Sequence, residues 1–346
     1  MRIGTAKFSY RHDEALFDSR TQYAWLAILG LGLVAFPFAV NEYWLYLACL
    51  MAINIGSAAG LNILTGYTGL VSLGHAAFMG VGAYTVAVLQ GAVDLPVLPN
   101  LLAAGAVTMV AGFIVGIPSL RVKGLYLAIA TIAASMILHF VFSNWQPVTG
   151  GTAGLMVNPA RILGIDLDTS FRFYWMVMPI TLLMLLGAAN LFRTRIGRAF
   201  IAIRDRDISA EVLGIPLLRY KLLSFGISSF YAGVAGGLWA YFFRIITPES
   251  FPLSMSIFFL TAIIVGGMGS LLGSILGAAF ITMVPEALKL IVGWLPISAD
   301  ATLILSPVRT IVFGLLIIGF LIFEPLGLQE IWRRTQRFFH LWPFRS

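Results

Sequence analysis

Apolar stretches of roughly 18 or more residues recur along the chain, and a helix of that length crosses the hydrocarbon core of a bilayer. Soluble domains carry about a quarter charged residues. Here only 11% of the 346 residues are charged and 59% are hydrophobic, and the mean hydropathy is +0.92. The short alternating strands of a membrane β-barrel are absent from the sequence. The sequence therefore predicts an all-α polytopic membrane protein.

About ten membrane spans are predicted, between an N-terminal tail of residues 1–22 and an amphipathic C-terminal tail of residues 324–346. They lie near residues 23–40, 43–64, 70–90, 98–118, 124–143, 173–192, 221–243, 256–267, 271–292 and 307–323, which together form a transmembrane domain of residues 23–323. The eighth and ninth spans are divided only by GGMGSLLGS. Glycine-broken spans at 66–82 and 266–277 raise the possibility of an inverted structural repeat.

Lys and Arg are distributed unequally between the two sides of this layout. If the N-terminus is cytoplasmic, 17 of the 22 Lys and Arg residues face the cytoplasm and five face outward. Cytoplasmic loops carry such an excess, so we expect both termini and the loop 193–221 in the cytoplasm and the loop 144–172 in the periplasm. The net charge of +7 then reflects topology and contact with anionic membrane lipid, and no nucleic acid partner is expected.

The sequence offers no energy source for active transport. No Gly-Lys pair occurs, so a phosphate-binding loop of the Walker type is excluded. Ion coupling usually needs a carboxylate near the membrane midplane, but spans two to eight contain no Asp or Glu, and Glu286 is expected toward the outer end of the ninth. Cys49 is the only cysteine, so an internal disulfide and a thiolate metal cluster are also excluded.

Residues 61–84, LNILTGYTGLVSLGHAAFMGVGAY, interrupt the apolar pattern with five glycines and several polar residues. Irregular backbone persists in a membrane only where it is buried in protein or faces a watery cavity. We therefore predict a broken helix beside a solute route. The candidate lining residues are Thr65, Gly66, Tyr67, Ser72, Gly74 and His75. The alternative is close helix packing in which these polar groups are satisfied inside the protein.

The cytoplasmic loop 193–221 predicts a short amphipathic helix from Thr194 to Gly214, followed by Pro216 as a stop signal. One face of this helix collects mostly small and apolar residues, with Arg206 as an interruption, and another face is charged. The apolar face comprises Ala199, Ala202, Ile203, Ala210 and Leu213, and the charged face Arg204, Asp207 and Glu211. A small-residue face suits docking into a groove on another protein. The alternative is a helix lying flat on the membrane.

The C-terminal tail places Ile331, Phe338 and Trp342 at helical spacing, with Arg333, Arg334 and Arg337 nearby. This pattern is typical of an interfacial membrane anchor. A partner-binding tail is the alternative.

Several segments resemble the LivM-type permeases, in the order expected for that family. They are LNILTGYTGLVSLGHAAFMGVGAYTVAVL, GLYLAIATIAASMIL, VTGGTAGL, RTRIGRAFIAIRDRDISAEVLGIPLLRYKLLSF, AIIVGGMGSLLGSILGAAFI and SPVRTIVFGLLIIGFLIFEPLGL. The resemblance covers roughly residues 25–330. These permeases are multi-pass inner-membrane subunits of bacterial ABC importers for branched-chain amino acids and related compounds.

The resemblance implies an ABC importer permease fold and four partners: a homologous LivH-type permease, two ABC ATPase subunits and a periplasmic substrate-binding protein. ATP and Mg would bind the ATPases, so this chain would hold no cofactor and no metal and would not be an enzyme. The loop 193–221 would be the coupling loop, although only Ala210 and Gly214 match the EAA…G signature, which falls on residues 208–214. The implied coupling residues are Arg198, Ala202, Ile203, Arg204, Ala210, Glu211 and Gly214.

The function that follows is ATP-driven uptake of branched-chain or other hydrophobic amino acids through a route between two permeases. Importers for urea, short amides or aromatic acids remain alternatives, because the spans show no charged pocket that would select a substrate. A secondary carrier that works without partners is the rival transport mechanism. An intramembrane hydrolase would have to be built from His75, His139 and scattered serines, since neither HExxH nor GxSxG occurs.

Overall fold

The structure is a computed structural model that describes residues 20–93, 95–122, 124–162, 164–294 and 327–341, together with isolated residues between 311 and 322. The helices in the described residues are α1 (Arg20–Ala39), α2 (Glu42–Asn62), α3 (His75–Val93), α4 (Val97–Ser119), α5 (Leu125–Asn144), α6 (Gln146–Thr149), α7 (Ser170–Arg193), α8 (Arg195–Asp205), α9 (Asp207–Val212), α10 (Leu217–Phe243), α11 (Leu253–Gly266), α12 (Leu271–Trp294) and α13 (Leu328–Leu341). A π-helical turn, Ile63–Tyr67, continues α2.

Seven described segments are long and apolar enough to cross a membrane, which confirms the all-α polytopic prediction. They are Glu42–Tyr67, His75–Val93, Val97–Ser119, Leu125–Asn144, Ser170–Arg193, Leu217–Phe243 and Pro248–Gly266, and shorter apolar segments occur at Ala27–Ala39 and Leu271–Ala287. The first nine predicted spans each correspond to one of these helices. Only isolated residues of the tenth, 307–323, are described, and most of the N-terminal tail lies outside the described residues. The count of ten and the cytoplasmic termini therefore stay predictions.

Helices α2 and α10 form the centre of the bundle, because most of their residues are buried while α5 and α7 are largely exposed. Helix α10 packs against α3 and α4, and α2 packs against α7, α10 and α12. Glycines allow this closeness. A side chain at Gly236 would strike the backbone of Met79 on α3, and one at Gly82 would strike the backbone of Gly233 on α10. Small residues at such crossings let membrane helices approach through their backbones.

The loops collect at two ends of the bundle. One end, called the β end, carries two short antiparallel ladders, in which β1 (Leu155–Met156) pairs with β4 (Ile245–Ile246) and β2 (Arg161–Ile162) pairs with β3 (Ile165–Asp166). There Arg244, the one described non-glycine residue with positive φ, donates to the Asp168 carboxylate at 2.9 Å. The other end, called the α8 end, holds α8, α9, the π-helical turn, the turn 267–270 and the start of α13. The charge distribution predicts that the α8 end is cytoplasmic.

The predicted span boundaries need two corrections around residues 64–75. The second span continues beyond residue 64 through the π-helical turn, and the third begins at His75 rather than at residue 70. Gly69 has φ +75°, a value that only glycine adopts readily, so the helix cannot run through it. Residues 69–74 are consequently an irregular connection at the α8 end.

The inverted structural repeat stays a prediction, and the two glycine breaks that suggested it are in contact. Here Gly66 and Gly269 lie at the same end and touch, because a side chain at Gly66 would collide with the backbone nitrogen of Gly269.

Candidate functional site

Helix α8 is fixed to the bundle by its apolar face. The Thr194 side chain accepts a hydrogen bond from the Gly197 backbone N–H at 3.4 Å and caps the N-terminus. Ala199, Phe200 and Ile203 are buried. The predicted start of the helix at Thr194 is therefore confirmed, and α8 rests on the bundle instead of projecting from it.

The predicted single helix from Thr194 to Gly214 is wrong, because Arg206 is extended at φ −157° and ψ 104° and separates α8 from α9. Aspartate is a weak helix former in a helix interior but is favourable in the first turn. Asp207 opens α9, and its carboxylate lies 3.6 Å from the Lys221 ammonium on α10. This ion pair ties the new helix to the bundle at the point where the chain changes direction.

Helix α9 ends in a Schellman turn at Gly214. The Gly214 N–H donates to the Glu211 carbonyl at 2.9 Å, and the Ile215 N–H donates to the Ala210 carbonyl at 3.0 Å. Gly214 has φ +84°, which is the conformation that this motif requires at its glycine. The predicted end of the helix is confirmed, and the reason for glycine here is its backbone angle.

Large apolar side chains are exposed on α9 and at its C-cap. Ile208, Val212 and Leu213 are 71%, 83% and 80% exposed, while Ala210 faces the bundle and is 2% exposed. Leu213 was predicted on the same face as Ala199 and Ala210, and this is wrong: Leu213 is the C-cap of α9 and is exposed, whereas Ala199 and Ala210 are buried. These three side chains, Ile208, Val212 and Leu213, are called the α9 patch.

The π-helical turn satisfies its irregular backbone with its own side chains. Thr65 Oγ1 donates to the Leu70 carbonyl at 3.1 Å, and Thr68 Oγ1 donates to the Ile63 carbonyl at 3.1 Å. The Leu70 N–H donates to the Leu64 carbonyl at 3.2 Å. Both threonines are buried. Unpaired backbone groups are costly in a membrane, so the threonines at this break stabilise it from within.

Arg204 of α8 reaches the same turn. Its Nη1 donates to the Gly66 carbonyl at 2.9 Å, and its Nη2 lies 3.3 Å from the Asp205 carboxylate. The Gly66 carbonyl lies in the last turn of a helix, where no intrahelical N–H is available and a cation is favourable. Gly69 and Gly269 both pack against Arg204 and both have positive φ. The side chain thus lies between the two glycine breaks.

Asn62 joins the two breaks directly. Its Oδ1 accepts from the Gly269 N–H at 2.9 Å, and its Nδ2 donates to the Ser270 carbonyl and to Ser274 Oγ, each at 2.7 Å. The side chain is 1% exposed. Buried polar groups in proteins are almost always hydrogen-bonded, and Asn62 meets this requirement with partners more than 200 residues away. Asn62, Gly66, Arg204, Gly269 and Ser270 are called the break joint.

Helix α13 closes the break joint from the other side. Gly327 packs against the backbone of Gly267. In the amide orientation that satisfies both of its polar atoms, Gln329 donates to Ser270 Oγ and accepts from Arg333 Nη2 at 2.9 Å. Ile331 is exposed, whereas the side chains of Phe338 and Trp342 lie outside the described residues. The lipid-anchor role of this tail therefore stays a prediction.

The six predicted route residues lie mostly in the protein interior. Thr65, Ser72 and His75 are 6%, 2% and 2% exposed, Gly66 and Gly74 are buried, and Tyr67 is partly exposed and stacks on Phe192. His75 Nε2 lies 3.0 Å from both Ser57 Oγ and the Ser57 carbonyl. Their role in the route stays a prediction, but their contacts are those of internal packing.

A cavity of about 570 Å³ opens at the β end. Its lining includes Gln90, Asn158, Arg161 and Tyr241, and none of the six predicted route residues borders it.

The predicted coupling residues divide into two groups. Arg198, Glu211 and Gly214 are exposed, and Arg204 is partly exposed at its side chain. Ile203 and Ala210 are buried, and Ala202 is half-buried. Asn62 and the turn 267–270 were not predicted to belong to one site. An asparagine in an otherwise apolar run was the available signal, since a polar side chain in a membrane helix needs an internal partner.

Comparison with known proteins identifies the family. The family described as branched-chain amino acid transport system, permease component, matches residues 41–321. LivM of Salmonella typhimurium, a high-affinity branched-chain amino acid transport system permease protein, is 33% identical over 74% of this chain and 66% of its own length. The chain therefore spans just under two thirds of that relative.

Two further relatives carry other names. LivH of Methanocaldococcus jannaschii, a probable branched-chain amino acid transport permease protein, is 27% identical over 81% of this chain and 90% of LivH. LsrC of an Enterobacter species, an autoinducer 2 import system permease protein, is 28% identical over 80% of this chain and 81% of LsrC. No solved structure matches the chain significantly.

These comparisons confirm the LivM-type resemblance of the sequence. The apolar helices and the family together place the protein in the bacterial inner membrane. Members of this family are transport permeases and not enzymes. The chain belongs to the family of branched-chain amino acid transport permeases, the membrane-spanning subunits of ABC importers.

Proposed function

We propose that this permease pairs with a homologous permease and imports branched-chain or other hydrophobic amino acids that a periplasmic binding protein delivers. Two ATPase subunits, which bind ATP and Mg, would drive the cycle from the cytoplasmic side. This chain would contribute part of the route and the surface on which an ATPase acts, and it would break no bond itself.

The observation that carries the proposal is the α9 patch. Three large apolar side chains are more than two-thirds exposed on a short helix and its C-cap, outside the membrane spans. The Asp207–Lys221 ion pair and the Schellman turn at Gly214 hold that helix in place. A rigid, exposed apolar patch rimmed by charged residues is typical of a protein interaction site.

Docking on the α9 patch can be tested with Val212→Asp. A charge at the centre of a desolvated contact should weaken ATPase binding roughly tenfold or more. Met156→Asp is the matched control, because Met156 is 84% exposed at the β end. Co-purification of the ATPases with each variant, before any transport assay, gives the measurement. Equal ATPase recovery from both variants would contradict the docking role.

Dependence on partners separates an ABC permease from a secondary carrier. Liposomes that contain this chain alone should accumulate no solute, with or without an ion gradient. Liposomes that also contain the second permease, the ATPases and the binding protein should accumulate it only when ATP is present. Concentrative uptake by the chain alone would refute the proposal.

The substrate class is proposed from the name of the LivM relative. The name of the LsrC relative shows that similar permeases serve other solutes, so urea, short amides and aromatic acids remain competitors. Titrating the cognate binding protein with leucine, isoleucine, valine and these competitors decides between them. Tight binding of a competitor and none of branched-chain amino acids would overturn the substrate assignment.

A further inference from the structure

The break joint connects the cytoplasmic helices to two separate breaks in the membrane domain. Arg204 Nη1 donates to the Gly66 carbonyl at 2.9 Å, and a side chain at Gly269 would collide with the same nitrogen. The backbone of α8 also lies close, because the Gly69 Cβ position is 3.5 Å from Arg204 Cα. Any shift of α8 that carries Arg204 with it must therefore move the first break, the second break, or both.

The breaks themselves are coupled without Arg204. Asn62 precedes the π-helical turn and binds Gly269, Ser270 and Ser274 through its buried side chain. A side chain at Gly66 would collide with both Asn62 Oδ1 and the Gly269 nitrogen. The ends of α2, α11 and α12 consequently form one packed unit, and tightly packed units move together because their interiors tolerate little deformation.

Elsewhere α8 packs on the bundle through an apolar face that contains Phe200 and Ile203. Its Arg198 Nη1 donates to the Arg193 carbonyl at the end of α7 at 3.3 Å, which does not involve either break. Apolar contacts can slide, whereas a hydrogen bond between a guanidinium group and a helix C-terminal carbonyl is directional and stronger than a neutral one.

We propose that Arg204 is the positioning residue through which movement of α8 and α9 reaches both helix breaks at once. The inference rests on the proposed function, in which an ATPase moves α9. Under this inference the polar, glycine-rich segment 63–74 acts as a hinge beneath the route and does not line the route. Glycines with positive φ at 69 and 269 supply the backbone freedom that such a hinge needs.

The test compares Arg204→Gln, Arg204→Lys and Arg195→Gln in the full importer. Arg195→Gln removes the same charge from an exposed position on the same helix. In Arg204→Gln the ATPases should still co-purify and hydrolyse ATP, while solute transported per ATP falls about tenfold, within the usual range of coupling between two sites. Arg204→Lys should recover part of this loss because lysine keeps a cation near the Gly66 carbonyl. Arg195→Gln should match the parent.

Hydrogen exchange distinguishes transmission from mere structural support. In the parent, binding of ATP should change amide exchange in both α8 and residues 63–74. In Arg204→Gln the change in α8 should persist while the change in residues 63–74 disappears.

Two results would overturn the inference. One is an unchanged ratio of transport to ATP hydrolysis in Arg204→Gln. The other is a proportional loss of ATPase activity, transport and complex yield in both Arg204 variants, which would indicate a structural role only. A parent complex without ATP-dependent uptake would refute the proposed function and this inference with it.

Discussion

Replacing Asn62 with alanine tests whether the two helix breaks are held together as the structure describes. The change removes three hydrogen bonds, but the three groups that were bonded to Asn62 differ in whether they keep another partner. The Ser270 carbonyl keeps the bond from the Ser274 N–H at 3.1 Å, and the Ser274 hydroxyl keeps its contact with the same carbonyl at 3.3 Å. The Gly269 N–H loses the acceptor that Asn62 supplied.

The expected loss of stability follows from this count. The Gly269 N–H is partly buried, so losing its acceptor costs about 1–2 kcal/mol, and each of the other two hydrogen bonds contributes about 0.5–1 kcal/mol. Asn62→Ala should therefore lower the free energy of unfolding by about 3 kcal/mol. At about 1.4 °C per kcal/mol for a chain of this size, the unfolding midpoint should fall by about 4 °C.

Thermal unfolding of the purified subunit in detergent measures this loss, with Ser274→Ala as the matched control. That variant loses one bond to Asn62 and should cost about 1 kcal/mol. Because both variants remove the Asn62–Ser274 bond, the double variant should be less destabilised than the sum of the singles. Strictly additive losses, or an unchanged midpoint in Asn62→Ala, would show that the joint does not form as described.

Three further changes probe other parts of the fold. Gly214→Val should lower the free energy of unfolding by at least about 1 kcal/mol, since φ +84° disfavours any side chain. It should also reduce the solute transported per ATP, and an unchanged ratio would contradict the role of the turn. Gly236→Leu should prevent α3 and α10 from packing, because its Cβ would strike the Met79 carbonyl. Gly91→Leu is the control, because its side chain would enter open space, and it should leave the size-exclusion profile normal. Equal size-exclusion profiles for the two variants would refute the close crossing. Glu286→Gln should leave ATP-driven uptake unchanged, because Glu286 accepts a hydrogen bond from a tyrosine in the first turn of α2 at the β end. Loss of uptake would indicate ion coupling.

The membrane helices could be predicted from sequence because span length and hydropathy are local properties. Nine predicted spans match helices to within about five residues, in line with the usual uncertainty of boundaries. The division between the eighth and ninth spans was also correct, since the glycines of the turn 267–270 mark it. The larger errors occurred at residues 64–75 and at Arg206, where positive-φ glycine and an ion pair from Asp207 to Lys221 override the apolar periodicity.

The break joint could not be predicted from the sequence, for a different reason. Its bonds connect residue 62 with 269 and 270, and residue 204 with 66. Local patterns carry no information about which distant turns meet. Hydropathy indicated that the asparagine and the glycines were unusual, but their partners are determined only when α2, α8, α11 and α12 pack together.

The hydrogen bonds within residues 63–75 favour another interpretation of the polar stretch that was predicted to line the route. A residue that lines a water-filled passage must leave polar groups free to meet the solute, whereas Thr65, Thr68 and Ser72 direct their hydroxyl groups to backbone partners a few residues away. His75 likewise faces Ser57 inside the bundle. Polar residues in a membrane protein can therefore stabilise a break in a helix without contacting the transported molecule. In the proposed two-permease importer we therefore expect the route along faces that this subunit leaves exposed, with the break joint positioned to transmit movement to them.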